Sequence, residues 1–181
     1  MNEPLDKSAP MKRVLEIFPG AQRALFRRYH IGGCASCAFQ PDETLDALCA
    51  RNNLNVAEVI EHIKTSHQQD EEMQISPAEL AQLREAGPVR LVDVRAREEF
   101  EATHLEGAVL LSQPVMQEIL GHWPRAELMV ICDHRGQNSL DAAAYFLGQG
   151  FGNVRCLRGG IDAWSREIDS KVPRYRLELS K

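Results

Sequence analysis

Two rhythms of apolar and polar positions divide the chain. From Met11 to His67 the spacing is helical: Val14, Leu15 and Phe18 share one face before Pro19-Gly20 interrupts the run, and a second short helix carries Leu25 and Phe26. Ile31-Gly32-Gly33 stops that helix and leads into Cys34-Ala35-Ser36-Cys37. Thr44 is placed to cap a third helix bearing Leu45, Leu48 and Cys49. Asn55, with Glu58 at the third position, is placed to cap a fourth whose stripe is Val56, Val59, Ile60 and Ile63. From Thr65 to Gln74 almost every residue is polar. That predicts a linker, set at 68–74, between a helical domain at 11–67 and a second domain at 75–175.

The second domain alternates. Ser76-Pro77-Ala78-Glu79 is a capping box with proline at the first helical position, and predicts a helix to about Ala86. Three apolar runs follow, Val89 to Val94, Met129 to Cys132 and Asn153 to Leu157. They alternate with helical stretches at Glu98 to Thr103, Val115 to Leu120 and Leu140 to Gln149. The pattern predicts an α/β domain around a mostly parallel sheet, preceded by a small all-α domain. In such sheets ligands sit outside the carboxyl ends of the strands.

Composition narrows the class. With 44% hydrophobic and 26% charged residues, and no run near the ~20 apolar residues of a membrane span, the chain reads as globular, with no membrane partner. The polar stretch Met1 to Pro10 lacks the apolar core of a secretory signal, so the expected address is cytoplasmic. A net charge of -5 argues against a nucleic-acid partner, and the cluster Arg23, Arg27, Arg28 reads as a solvated helix face. Five cysteines, an odd number, make a structural disulfide framework a poor fit. Cysteine chemistry fits better, with Cys49 and Cys156 reading as structural.

The seven residues Cys132-Asp133-His134-Arg135-Gly136-Gln137-Asn138 join a buried strand to the helix that starts at Ser139. A tight loop ending at a helix N-terminus turns several backbone N–H groups toward one point, where the helix dipole adds positive potential. Thiolate, the reactive form of cysteine, is favoured there. Arg135 and protonated His134 add to that effect, and Asp133 opposes it. On the loop alone, a structural cysteine at a strand end stays open as the other reading.

The flanking residues carry a resemblance over roughly Ile75 to Tyr175. Leu91-Val92-Asp93-Val94-Arg95, Glu98-Glu99-Phe100 and His104-Leu105-Glu106-Gly107-Ala108 resemble the first signature of the rhodanese family, and Gly159-Gly160-Ile161-Asp162-Ala163-Trp164 resembles the second. The resemblance implies a five-stranded parallel sheet flanked by helices, and a sulfurtransferase. In it Cys132 takes sulfur as a persulfide from thiosulfate or another persulfide, backbone N–H groups from Asp133 to Ser139 hold the anionic sulfur, and a thiol or protein acceptor removes it. Two covalent steps imply ping-pong kinetics. Asp93 and Arg95 are expected to orient the loop or pair as ions, His104 to be structural or at the rim, Gly159-Gly160 to allow close backbone approach, and Trp164 to lie in the core. No cofactor or metal is implied.

One departure matters. The usual single-domain member closes the loop one residue sooner, on an arginine or similar residue. The longer loop resembles that of dual-specificity phosphatases and some arsenate reductases, which end it with an anion-clamping arginine where this chain has Asn138. A phosphatase or arsenate reductase is therefore the second reading, and a non-catalytic persulfide or redox sensor the third.

Cys34 and Cys37 have the spacing of a redox dithiol, of half a zinc site, or of part of an iron–sulfur site. A zinc site needs two more ligands, and His30 is the nearby candidate. Val14 to Ile63, through Val14-Leu15-Glu16, Pro19, Ile31 to Cys37, Thr44-Leu45 and the helix from Asn55, resembles the hybrid-cluster-protein-associated redox disulfide domain. That implies a reversible dithiol and disulfide, and suggests a relay from the Cys132 persulfide to Cys34 or Cys37. The competing expectation is a purely structural pair that stabilises the helical domain or a homodimer.

Overall fold

In this computed structural model the described residues are 5–32 and 39–174. Cys34 and Cys37 lie outside them, as does Tyr175 at the end of the expected second domain. The chain divides into two units, Met1–Glu72 and Met73–Lys181.

The first unit contains four helices among the described residues: α1 (Met11–Ile17), α2 (Ala21–Tyr29), α3 (Leu45–Arg51) and α4 (Val56–Glu72). Their apolar stripes meet in one core of Met11, Val14, Phe18, Leu25, Leu45, Leu48, Cys49, Val59 and Ile63, with Val56 and Ile60 packed partly buried at its edge. Thr44 caps α3 through its hydroxyl, which accepts from the Ala47 N–H at 3.2 Å, and Asn55 accepts from the Ala57 N–H at 2.9 Å. Phe26 faces outward, 47% exposed.

The expected linker is helix instead. α4 continues through Glu72, because the polar run holds no breaker and Asp70 has a partner. Its carboxylate pairs with the Arg23 guanidinium of α2, and the two side chains are only 8% and 15% exposed. Arg23 is thus not part of a solvated face. Its partner lies 47 positions away in sequence, beyond any local pattern.

The second unit runs β1 (Gln74–Ile75), α5 (Pro77–Ala86), β2 (Arg90–Asp93), α6 (Arg97–Ala102), β3 (Ala108–Leu110), α7 (Gln113–His122), β4 (Met129–Cys132), α8 (Ser139–Gly148), β5 (Val154–Leu157) and α9 (Gly160–Glu167). The five strands form one sheet in the order β1-β5-β4-β2-β3, every neighbouring pair parallel. This is the expected fold of five parallel strands with helices. The Ser76 to Glu79 capping box is present with both reciprocal bonds. β1 and β3 are two and three residues long, too short to show a strand period in the sequence.

Alternation along the strands separates two cores. Val92, Met129, Ile131, Val154 and Cys156 pack with Ile119 of α7 and Ala143 and Phe146 of α8. Leu91, Val130, Cys132 and Leu157 pack with Leu80 of α5 and Ile161 and Trp164 of α9. Cys132 and Cys156, on adjacent strands, therefore belong to opposite faces.

Candidate active site

Strand order locates the site before any side chain is considered. From β2 the chain moves outward to β3, and from β4 it moves the other way to β5, so the connections leaving the adjacent strands β2 and β4 diverge. That divergence is the switch point at which open parallel sheets leave a crevice. The residues at the two strand ends are Asp93 and Cys132, register partners across the β2–β4 ladder. The Val94 N–H donates to the Cys132 carbonyl at 3.0 Å and locks the ends together.

At the end of β2, Asp93 and Arg95 form a buried ion pair, 0% and 2% exposed. Arg95 Nε donates to Oδ1 at 2.9 Å and Nη2 to Oδ2 at 2.6 Å, while the Arg95 backbone N–H reaches the same carboxylate at 3.0 Å. Nη2 also donates to the Thr103 carbonyl at 2.7 Å, tying the end of β2 to the residue that follows α6. An ion pair is one of the two arrangements expected of these residues. The Thr103 carbonyl has no side-chain signature and could not be read from sequence.

The loop after β4 is built differently. The Asp133 carboxylate accepts from the backbone N–H groups of Gly136, Asn138 and, at 2.9 Å, Ser139. These belong to the set of amides expected to hold an anionic sulfur. Here an internal carboxylate takes them up, and it caps α8 at the same time. Asp133, His134, Gly136 and Ser139 are buried, whereas Arg135, Gln137 and Asn138 are exposed. The Ser139 hydroxyl is buried with no hydrogen-bond partner among the described residues.

The second signature holds the loop from behind. Ile161 N–H donates to the Asp133 carbonyl at 2.9 Å and Asp162 N–H to the His134 carbonyl at 3.2 Å, so the first turn of α9 grips the loop backbone. Gly160, at φ +61°, lies so close that a Cβ would stand 2.6 Å from the Arg135 nitrogen. Gly136, at φ +80°, is equally tight against Gly159, whose nitrogen would be 2.8 Å from a Cβ. The close backbone approach expected of Gly159-Gly160 is the loop itself. Trp164 is buried in the α5/α9 core, and His104 is exposed, stacked on Phe100 at 4.1 Å between ring centres.

The Cys132 thiol is fully buried, and its pKa is raised well above that of a free thiol. Desolvation is the largest cause, followed by the negative charge of Asp93. Arg95 opposes these, while Asp133 and a hydrogen bond to Asp93 add to the rise. The thiolate expected from the loop's position is thus not the favoured form in this conformation. Burial and two carboxylates set that direction, and three of the amides that would have favoured the thiolate are bound to Asp133. Arg95, not Arg135, is the guanidinium that acts on the sulfur.

Comparison with known proteins places the second unit. The family model described as "Rhodanese-like domain" matches residues 76–167. The chain is 36% identical over 90 residues to the thiosulfate sulfurtransferase GlpE of Pseudomonas syringae, a match covering 50% of this chain and 84% of that protein. It is 38% identical over 94 residues to the adenylyltransferase and sulfurtransferase UBA4 of Candida albicans, covering 47% of this chain but only 21% of that larger protein. Among solved structures, a rhodanese-like domain protein from Staphylococcus aureus aligns at 28% identity with a TM-score of 0.45, covering 50% of this chain and 89% of that one.

Proposed function

Because residues 76–167 make this chain a member of the rhodanese-like family, we propose that it is a sulfurtransferase in which Cys132 carries sulfur as a persulfide. One observation carries the reading: Cys132 ends the central strand β4, at the switch point, where the loop into α8 begins.

The donor's sulfane sulfur is attacked by Cys132, which must first lose its proton. The Asp93 carboxylate is hydrogen-bonded to that thiol and is the adjacent acceptor, while Arg95 favours the thiolate that results. The donor's remaining half departs with the bonding electron pair, leaving Cys132–S–S⁻. A thiol then takes the outer sulfur and regenerates Cys132, so donor and acceptor act in turn with ping-pong kinetics.

The chain's own candidate acceptors are Cys34 and Cys37. In that relay Cys34 takes the sulfane sulfur, Cys37 attacks the Cys34 sulfur, and sulfide leaves as the disulfide closes. Two thiols are oxidised, and one sulfane sulfur is reduced to sulfide. Replacing both with serine is expected to abolish sulfide release without added thiol, while leaving loading of Cys132 intact.

The oxyanion-hydrolase reading has less support. Asn138 stands where a clamping arginine is needed, and Asp133 already fills loop amides that an oxyanion would use. The test is cyanide-labile sulfur after exposure to a sulfane donor. Wild type is expected to retain one sulfur and Cys132→Ser none, and equal retention by both would remove Cys132 from the mechanism.

A further inference from the structure

We infer that Asp133 is a specificity-determining residue, which makes the loop prefer an alkyl persulfide, a donor that can enter protonated and so without charge on its transferable sulfur, over thiosulfate, which stays a dianion. The inference rests on the reading of Cys132 as the sulfur carrier, and names the class of donor for that site.

Two carboxylates bear on the Cys132 sulfur, and only one of them is neutralised. Asp93 is matched by the Arg95 guanidinium inside the protein. Asp133 is held by three backbone N–H groups, which contribute dipoles and no net charge. Of the other charged groups of the loop, Arg135 is exposed at the rim, and His134 is buried with Asp162 as its electrostatic neighbour. Two carboxylates and one guanidinium thus act on the thiol; after desolvation, the largest cause, the carboxylates also raise its pKa.

The two donors meet this field differently. Thiosulfate brings a doubly charged group to the loop, and sulfite departs carrying the same two charges: Cys132–S⁻ with S–SO₃²⁻ gives Cys132–S–S⁻ and SO₃²⁻. Its sulfonate oxygens also need N–H donors, and three of the loop's amides, those of Gly136, Asn138 and Ser139, are taken by Asp133. A protonated persulfide makes no such demand. In Cys132–SH + RS–SH → Cys132–S–SH + RSH, a sulfur–sulfur bond to Cys132 forms as the RS–S bond breaks. The leaving thiolate takes the electron pair, then the proton that Cys132 gives up. No net charge enters the loop, and the Asp133 hydrogen bonds stay in place.

The test is persulfide formation on Cys132, followed by mass, with thiosulfate and with glutathione persulfide, for wild type and Asp133→Asn. The asparagine removes the charge and keeps one acceptor oxygen for the loop amides, giving up the other. Wild type is expected to load more efficiently from the persulfide, and the substitution to raise the thiosulfate-to-persulfide ratio of kcat/KM by about tenfold or more, since a buried charge is only weakly screened. Since the ratio is taken on one sample, a variant that is only partly folded still reports it. A wild type that prefers thiosulfate, or a ratio unchanged by the substitution, overturns the inference and leaves the sulfur-carrier reading standing. If wild-type Cys132 takes sulfur from neither donor, that reading fails and the inference goes with it.

Discussion

Asp93 and Asp133 stand at the carboxyl ends of neighbouring strands, both buried, both acting on the Cys132 sulfur through their charge, and they are held by opposite means. Asp93 meets a guanidinium two residues on, in a pair that a third element, the turn after α6, locks from outside. Asp133 meets only the backbone of its own loop. A buried carboxylate matched by a cation is a fixed part of the frame, because removing the partner strands a charge in the interior. One held by amides is bound less firmly, since those amides can be exchanged for water as the loop opens. The end of β2 thus reads as scaffold, and the loop after β4 as the part that chemistry rearranges.

The largest effect should come from breaking the β2 side. Arg95→Ala leaves Asp93 buried without its cation and is expected to cost about 3–5 kcal/mol. Urea unfolding followed by tryptophan fluorescence is the suitable readout, since both tryptophans, Trp123 and Trp164, lie in the α/β unit. Next is the grip on the loop from behind. Gly160→Ala places a methyl group against the Arg135 nitrogen at a left-handed backbone position, and should cost about 2–3 kcal/mol in the same assay. A neutral result there would mean that α9 does not hold the loop in place.

Third comes pH. The Cys132 pKa is raised, the thiolate is the attacking form, and so the rate of loading from thiosulfate, whose charge does not change in this range, should climb as pH rises. The slope expected is about tenfold per unit, equivalent to about 1.4 kcal/mol, across roughly pH 6–9. A plateau reached near neutrality would show that the loop opens to a state in which the thiol is no longer desolvated. The smallest effect is on the β4 side: Asp133→Asn puts a donor where one of two acceptor oxygens stood and should lower stability by about 1–2 kcal/mol, less than loss of the Arg95 cation. Losses of equal size for Arg95→Ala and Asp133→Asn would erase the distinction between frame and moving part.

Legibility in the sequence follows the same division. The Asp93–Arg95 pair is local, and both residues stand in a signature, so their partnership could be expected. The three longer strand runs, the capping box and the Gly159-Gly160 approach are likewise short-range patterns. Strands β1 and β3 are carried by pairing with their neighbours, not by their own residues. The polar run that ends α4 looked like linker because its one buried residue, Asp70, answers to Arg23 in a different helix. At the loop the sequence pointed to Cys132 and even to the opposing sign of Asp133. It could not show that the Asp133 side chain folds back onto the amides of its own loop, since that depends on the backbone path and on α9 behind it.

Sulfur carriage by Cys132 is open to a direct measurement. Intact mass is recorded for wild type and Cys132→Ser after incubation with glutathione persulfide and, separately, with thiosulfate, each followed by removal of excess donor. The expected result is a single added sulfur on wild type, more complete from the persulfide, and none at this site in the variant. Equal sulfur addition to the variant, or none to wild type from either donor, would contradict the account.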